Sequence, residues 1–226
     1  MWIKSVALLA SLAALVATAT AASAQAPPLW AEAPSVAEVA AAYPAKARTA
    51  GVGGQVNLSC QINREGRPRD CAALGEQPSG YGFGFAARKL AERMRVADAA
   101  LRGQEVSIPV TFDPALLKGD APLVTKPVWS TLPSAEDFQA SFPKTANGVN
   151  EVRVALICSA SAGGLLTGCL VDREEPAGQG YGQGALALGP KFRVGPWSLD
   201  GLPTTGARVR VPIRYQLTPV GPSPKP

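Results

Sequence analysis

Four cysteines, Cys60, Cys71, Cys158 and Cys169, are the residues whose type and spacing most directly dictate chemistry in this sequence. They form no Cys-x-x-Cys redox motif, and the chain has no histidine to complete a zinc site with them, so the reaction they suit is oxidation to disulfides. The missing histidine also removes Ser-His and Cys-His nucleophile pairs and any imidazole metal ligand. Glu174-Glu175 and Glu65 with Asp70 read as solvated charges in turn regions. Gly80-Tyr81-Gly82-Phe83-Gly84 lacks the Lys-Ser/Thr that completes a phosphate loop, and reads instead as a loop entering a helix. A chain without catalytic residues, cofactor or metal is therefore expected. What remains is charge. Arg208, Arg210 and Arg214 fall on one side of an alternating segment, and Arg153 has the same outward parity on another. If the two segments pair, they make a basic face for an anionic polymer, a lipid headgroup or an acidic protein segment; the competing reading is a solvated strand face partly neutralised by Glu151.

Strands and helices must position these residues. Val56, Leu58, Cys60 and Ile62 alternate with polar neighbours, Glu65-Gly66 turns the chain, and a return strand runs through Cys71 and Ala73, so this stretch predicts a hairpin. Val152, Val154, Leu156 and Cys158 repeat the pattern, with Gly163-Gly164 as the turn and Cys169 and Val171 returning. In a hairpin, opposed positions share a constant sum. Cys60 with Cys71 is centred between Glu65 and Gly66, and Cys158 with Cys169 between Gly163 and Gly164, which predicts the disulfides Cys60–Cys71 and Cys158–Cys169. Closing loops this short should add roughly 2 to 3 kcal/mol to each half. Ala87, Leu90, Ala91 and Met94 keep helical spacing on one face; in the second half Pro190 falls between Leu188 and Phe192 and predicts a short or kinked helix. Alternating strands close both halves, and Pro109 and Pro212 place them at sheet edges.

These landmarks recur in order. Trp30 and Pro34-Ser35 match Trp129 and Pro133-Ser134, Cys60 and Cys71 match Cys158 and Cys169, Gly80-Tyr81-Gly82 matches Gly180-Tyr181-Gly182, and Pro109 with Phe112 matches Pro212 with Tyr215, at offsets drifting between 98 and 103. The expected architecture is α+β: two tandem ββαβ modules, each a three-stranded antiparallel sheet with a helix packed on one face. The first module spans 43–114, after a lead segment 25–42; a linker covers 115–128, the second module 129–217, and a Pro-rich tail 218–226.

Residues 1–24 have the layout of a secretory signal peptide, with Lys4 in the n-region, an Ala/Leu/Val run, and Ala22-Ser23-Ala24 at the cleavage site. Export to the periplasm follows, and membrane association only if this segment is retained. Hydrophobic residues at 46% against 17% charged favour a folded chain. A net charge of +5 without aromatic-basic clusters predicts no nucleic-acid partner.

The order of motifs resembles the TonB C-terminal domain. It is carried by Tyr43-Pro44 and Phe142-Pro143, a hairpin with a Gly-containing turn, Met94-Arg95 and Phe192-Arg193 at the helix end, and the closing strands Val106–Phe112 and Val209–Tyr215. The resemblance implies a three-stranded sheet with a helix on one face, as the periodicity does. A TonB energy transducer has an uncleaved anchor, a long Pro-rich spacer and one C-terminal domain that pairs a receptor strand. A cleavable leader and two disulfide-bearing modules instead fit a stand-alone periplasmic relative. The functional expectation is a non-catalytic binding or adaptor protein whose partner is an envelope protein or an anionic envelope component, through Arg153, Arg208, Arg210 and Arg214. The alternatives are a divergent transducer that keeps its N-terminal segment as a membrane anchor, and an enzyme with an unrecognised site.

Overall fold

The computed structural model describes residues 29–143 and 151–216; the expected signal peptide and Pro-rich tail lie outside the described residues. In chain order the elements are β1 (Trp30–Glu32), α1 (Val36–Ala41), α2 (Ala45–Ala50), β2 (Gly54–Ile62), β3 (Pro68–Gln77), α3 (Phe83–Ala91), β4 (Arg95–Val96), β5 (Glu105–Phe112), β6 (Leu123–Val124), β7 (Trp129–Thr131), α4 (Ala135–Ala140), β8 (Glu151–Ala160), β9 (Leu166–Glu175), α5 (Tyr181–Leu188), β10 (Arg193–Val194) and β11 (Arg208–Gln216). The class is α+β. The first sheet has three antiparallel strands in the order β3-β2-β5 with α3 packed on it. Its alternation is decided by burial: Val56, Leu58, Cys60 and Ile62 of β2 and Val106, Ile108, Val110 and Phe112 of β5 face α3.

The expectation of two matching three-stranded modules requires correction, because only the first sheet is three-stranded. The second has four strands in the order β6-β11-β8-β9. Leu123–Val124, inside the stretch expected to be a linker, runs parallel to β11 at Arg208–Val209. Edge backbone groups that the sheet would otherwise leave unpaired recruit this short segment. Two small ribbons were also not expected: β1 pairs β4, and β7 pairs β10. Each places a tryptophan opposite a valine, Trp30 with Val96 and Trp129 with Val194.

Both disulfides form as expected, Cys60–Cys71 and Cys158–Cys169, with Cα atoms 4.1 and 4.0 Å apart. The register is not a simple hairpin sum, however. It slips by one residue around Asp70 in β3 (φ 51°) and Gly168 in β9 (φ 58°), just before each returning cysteine. The cysteines stay opposed while the turns beyond them tighten.

The helices start alike, and here the Gly-Tyr-Gly matching is corrected. Gly82 caps α3 and Gly180 caps α5, both left-handed, so Phe83 corresponds to Tyr181 at the offset of the cysteines. Tyr43, Phe83 and Phe112 form an edge-to-face and tilted cluster with centroids 5.1–6.0 Å apart, and Phe142, Tyr181 and Tyr215 form another at 5.0–6.2 Å. The second helix stops at Leu188, with a 3-10 turn carrying Pro190 next. Proline cannot donate to the preceding turn, so the helix ends where the ring would clash.

The halves interlock through the segment between β10 and β11, which is longer than the corresponding stretch between β4 and β5. Trp197 from this segment is 2% exposed and belongs to the core of the first half. In return, Val36 of α1 donates its amide to Thr205 O at 2.9 Å and packs against the second core.

Candidate functional site

The arginines expected on one face are positioned by β11 and β8, whose antiparallel register sets Arg214 opposite Arg153, Arg210 opposite Ile157 and Arg208 opposite Ser159. Inward residues of the same strands, among them Val154, Leu156, Val209 and Val211, are buried. The two-residue period therefore turns every arginine away from the core. β9 completes the surface: Glu175 lies opposite Arg153, Arg173 opposite Ala155 and Leu170 opposite Ile157.

The face is mixed in charge, not simply basic. Glu151 bridges both Arg153 and Arg214 at 2.7 Å, and Asp172 bridges Arg210 at 3.1 Å; Arg173 pairs with Glu175. The hydrogen bond from Arg153, joined by that from Arg214, holds the Glu151 carboxyl below its usual range against the effect of burial. The neutralisation that sequence reasoning assigned to Glu151 is thus shared with Asp172 and Glu175. Arg208 forms no ion pair among the described residues, and beside it stand Ile157 and Leu170, the latter 72% exposed. These residues with Ser159, Gly168, Val171 and Asp172 line a groove of about 320 Å³. The first sheet's outer face differs in chemistry: it carries Gln55, Asn57, Ser59 and Gln61 on β2, with Ser107 and Thr111 on β5.

The sheet edges decide what else could bind. On β5, Thr111 donates its amide to Gly201 O at 2.8 Å, and the indole of Trp197 donates to Pro109 O at 2.9 Å. Thr111 N and Pro109 O both face outward, so the missing N–H of Pro109 costs the β2–β5 ladder nothing. Gly201 (φ 75°) makes this approach possible, since a Cβ there would sit 2.6 Å from the Pro109 carbonyl carbon. On β11 the start of the corresponding edge, Arg208–Val209, is taken by β6 and by the bond from Arg208 N to Pro122 O. The opposite edges, β3 and β9, each carry two register slips, around Asp70 and Gly75 and around Gly168 and Asp172. Such bulges twist an edge out of register with an incoming strand.

The glycine-rich loop is occupied from within. The Glu76 carboxylate accepts the amides of Tyr81, Gly82 and Phe83 on one oxygen, at 2.9–3.2 Å, and that of Gly84 on the other at 3.1 Å. Glu174 does the same for Tyr181 N at 2.9 Å, so it is a helix cap and not the solvated turn charge expected. Burial opposes ionisation of Glu76, but the four amides outweigh it and lower its pKa. A carboxyl whose folded pKa lies below its unfolded one stabilises above the unfolded value and loses that contribution as pH falls through the folded one. Glu76→Gln should thus cost about 1–3 kcal/mol at neutral pH and flatten part of the acid limb of stability measured by denaturant titration. An unchanged limb would show that the amides do not hold the charge. The signal missed was the recurrence of Glu76 and Glu174 at the cysteine offset.

Residues 39–114 match the family described as Gram-negative bacterial TonB protein C-terminal. An uncharacterized protein of Caulobacter vibrioides is 35% identical over 72 residues, which make up 30% of this chain and 72% of that protein. The family match covers β2, β3, α3, β4 and β5 and ends before the arginine face. Through residues 39–114 the chain belongs to the Gram-negative bacterial TonB protein C-terminal family.

Proposed function

We propose that this chain is a non-catalytic periplasmic adaptor that binds an acidic envelope protein or anionic envelope component through the outer face of its second sheet. The observation that carries the reading is the state of the edges. β5 is engaged at Pro109 and Thr111 and β11 at Arg208–Val209 by the chain's own segments, the rest of the β11 edge lacks a donor at Pro212, and β3 and β9 are bulged, whereas the arginine face is open. A transducer that pairs a receptor strand needs a long edge with its donors intact, so these partial covers, bulges and the proline favour an adaptor that uses a face. The periplasmic address rests on the signal pattern of residues 1–24 and on the family relationship.

The second half reads as a divergent second copy of the first. Its support is the common offset of disulfides, helix-capping glycines and capping glutamates, and the two aromatic clusters. The longer segment between β10 and β11 accounts for the larger offset of the closing strands.

Charge reversal of Arg208, Arg210 and Arg214 together should abolish capture of the partner from periplasmic extract while the thermal transition stays in place. Added salt should weaken the same contact, because exposed charges are screened beyond about 8–10 Å. A partner whose affinity ignores both would sink the basic-face reading. Recovery of the mature protein with Met1 to Ala24 intact would favour the anchored transducer instead.

A further inference from the structure

We propose that the Arg208 end of this face takes an extended protein segment in which an apolar side chain neighbours a carboxylate. The apolar group rests on Ile157 and Leu170 and the carboxylate meets Arg208. The inference rests on the acidic-partner reading above and narrows it to one chemistry and one corner of the sheet.

The register places the needed groups in two adjacent rows. Arg210, Ile157 and Leu170 make one row across β11, β8 and β9, and Arg208, Ser159 and Thr167 make the next. Asp172 holds Arg210, so the guanidinium left for a ligand is that of Arg208. A leucine 72% exposed in the lining of a groove about 320 Å³ in volume offers apolar surface beside that charge. The first sheet serves as an internal contrast. At the positions corresponding to Ile157, Leu170 and Arg208 it has Ser59, Ala72 and Glu105, and Ser59 donates to the Glu105 carboxylate. There the apolar pair is absent and the charge is inverted.

The same face disfavours two other occupants. Glu151, Asp172 and Glu175 are interleaved with the arginines, so a continuous array of phosphates, whether on a polyanion or on an anionic bilayer, meets repulsion at each of them. A polypeptide can place its few carboxylates where the guanidinium is and its apolar groups where Leu170 is.

The test uses the full-length protein and dye-labelled short peptides read by fluorescence anisotropy. The probes alternate Leu with Asp, Ser with Asp, or Leu with Lys, and anionic phosphatidylglycerol vesicles are run beside them. The Leu/Asp peptide should bind, and Arg208→Glu and Leu170→Ser should each weaken it by about tenfold or more. Both side chains are exposed, so both variants should keep the parent melting temperature. Glu105→Gln on the first sheet should change nothing. Equal binding of the Ser/Asp peptide, or indifference to Leu170→Ser while Arg208→Glu abolishes binding, overturns the apolar requirement and leaves the acidic-partner reading standing. Absence of Leu/Asp binding, indifference to Arg208→Glu, or preference for the vesicles overturns the proposal.

Discussion

Replacing Trp197 by alanine should destabilise the protein by about 3–5 kcal/mol and loosen the first half more than the second, although Trp197 belongs to the second half by sequence. The side chain is 2% exposed and sits in the first core with residues of β2, β5, α1 and α3, among them Val39, Leu58, Leu90 and Ile108. Its removal leaves a cavity that neighbouring backbone cannot collapse into, because the loop around it is fixed on both sides. Thr111 N bonds Gly201 O, Thr111 Oγ1 bonds Asp200 O at 2.6 Å, and Leu199 N bonds Lys126 O at 3.0 Å. Trp197→Phe separates the two contributions. It keeps most of the apolar volume and loses the indole bond to Pro109 O, which should cost about 1–2 kcal/mol. Denaturant unfolding gives the totals, and amide exchange along β5 gives the location. A Trp197→Ala change below about 1 kcal/mol with β5 exchange unaltered would mean that the halves are stable independently.

Joint replacement of Cys60 and Cys71 by alanine should cost about 2–4 kcal/mol, and the same change at Cys158 and Cys169 should cost somewhat more. Each bridge closes a loop with a sequence separation of 11, so the constraint lost from the unfolded chain is the same. The native surroundings differ. Cys60 and Cys158 are both 1% exposed beneath the helices, but the second bridge also packs tightly against the backbone after α5, where a Cβ on Gly189 would lie 2.7 Å from Cys169 Sγ. The second pair should therefore show the larger loss, because alanine leaves space under a turn that was in contact with sulfur. Peptide mapping without reductant should recover both predicted links. Equal unfolding midpoints for parent and both variants would remove the bridges from the account of stability.

Much of the scaffold was legible in residue order. Alternation in Val56–Ile62 and Val152–Cys158 identified inward faces because a strand's side chains must point to opposite sides. The equal spacing of the cysteines identified their partners because opposed hairpin positions share a sum. Pro190 marked the end of α5 for a reason confined to one residue and the turn before it. The outward parity of Arg208, Arg210 and Arg214 followed from the same alternation.

The tertiary structure alone decided what covers the edges and which charges are already paired. β6 joining β11, and Gly201 meeting Thr111, are made by backbone donors and acceptors that nearly every residue carries, so no residue type announces them. Arg173 and Glu175 reach the outer face because the bulge at Asp172 shifts β9 by one residue, a displacement that a strict two-residue period does not contain. Trp197 showed in the sequence only as part of a lengthened segment, and its place in the first core depends on how two distant halves pack. Within unbroken strands, sequence by itself determined which residues share a face, since that is local stereochemistry. The fold determined which faces and edges remain open, since that depends on segments far apart in the chain competing for the same backbone groups.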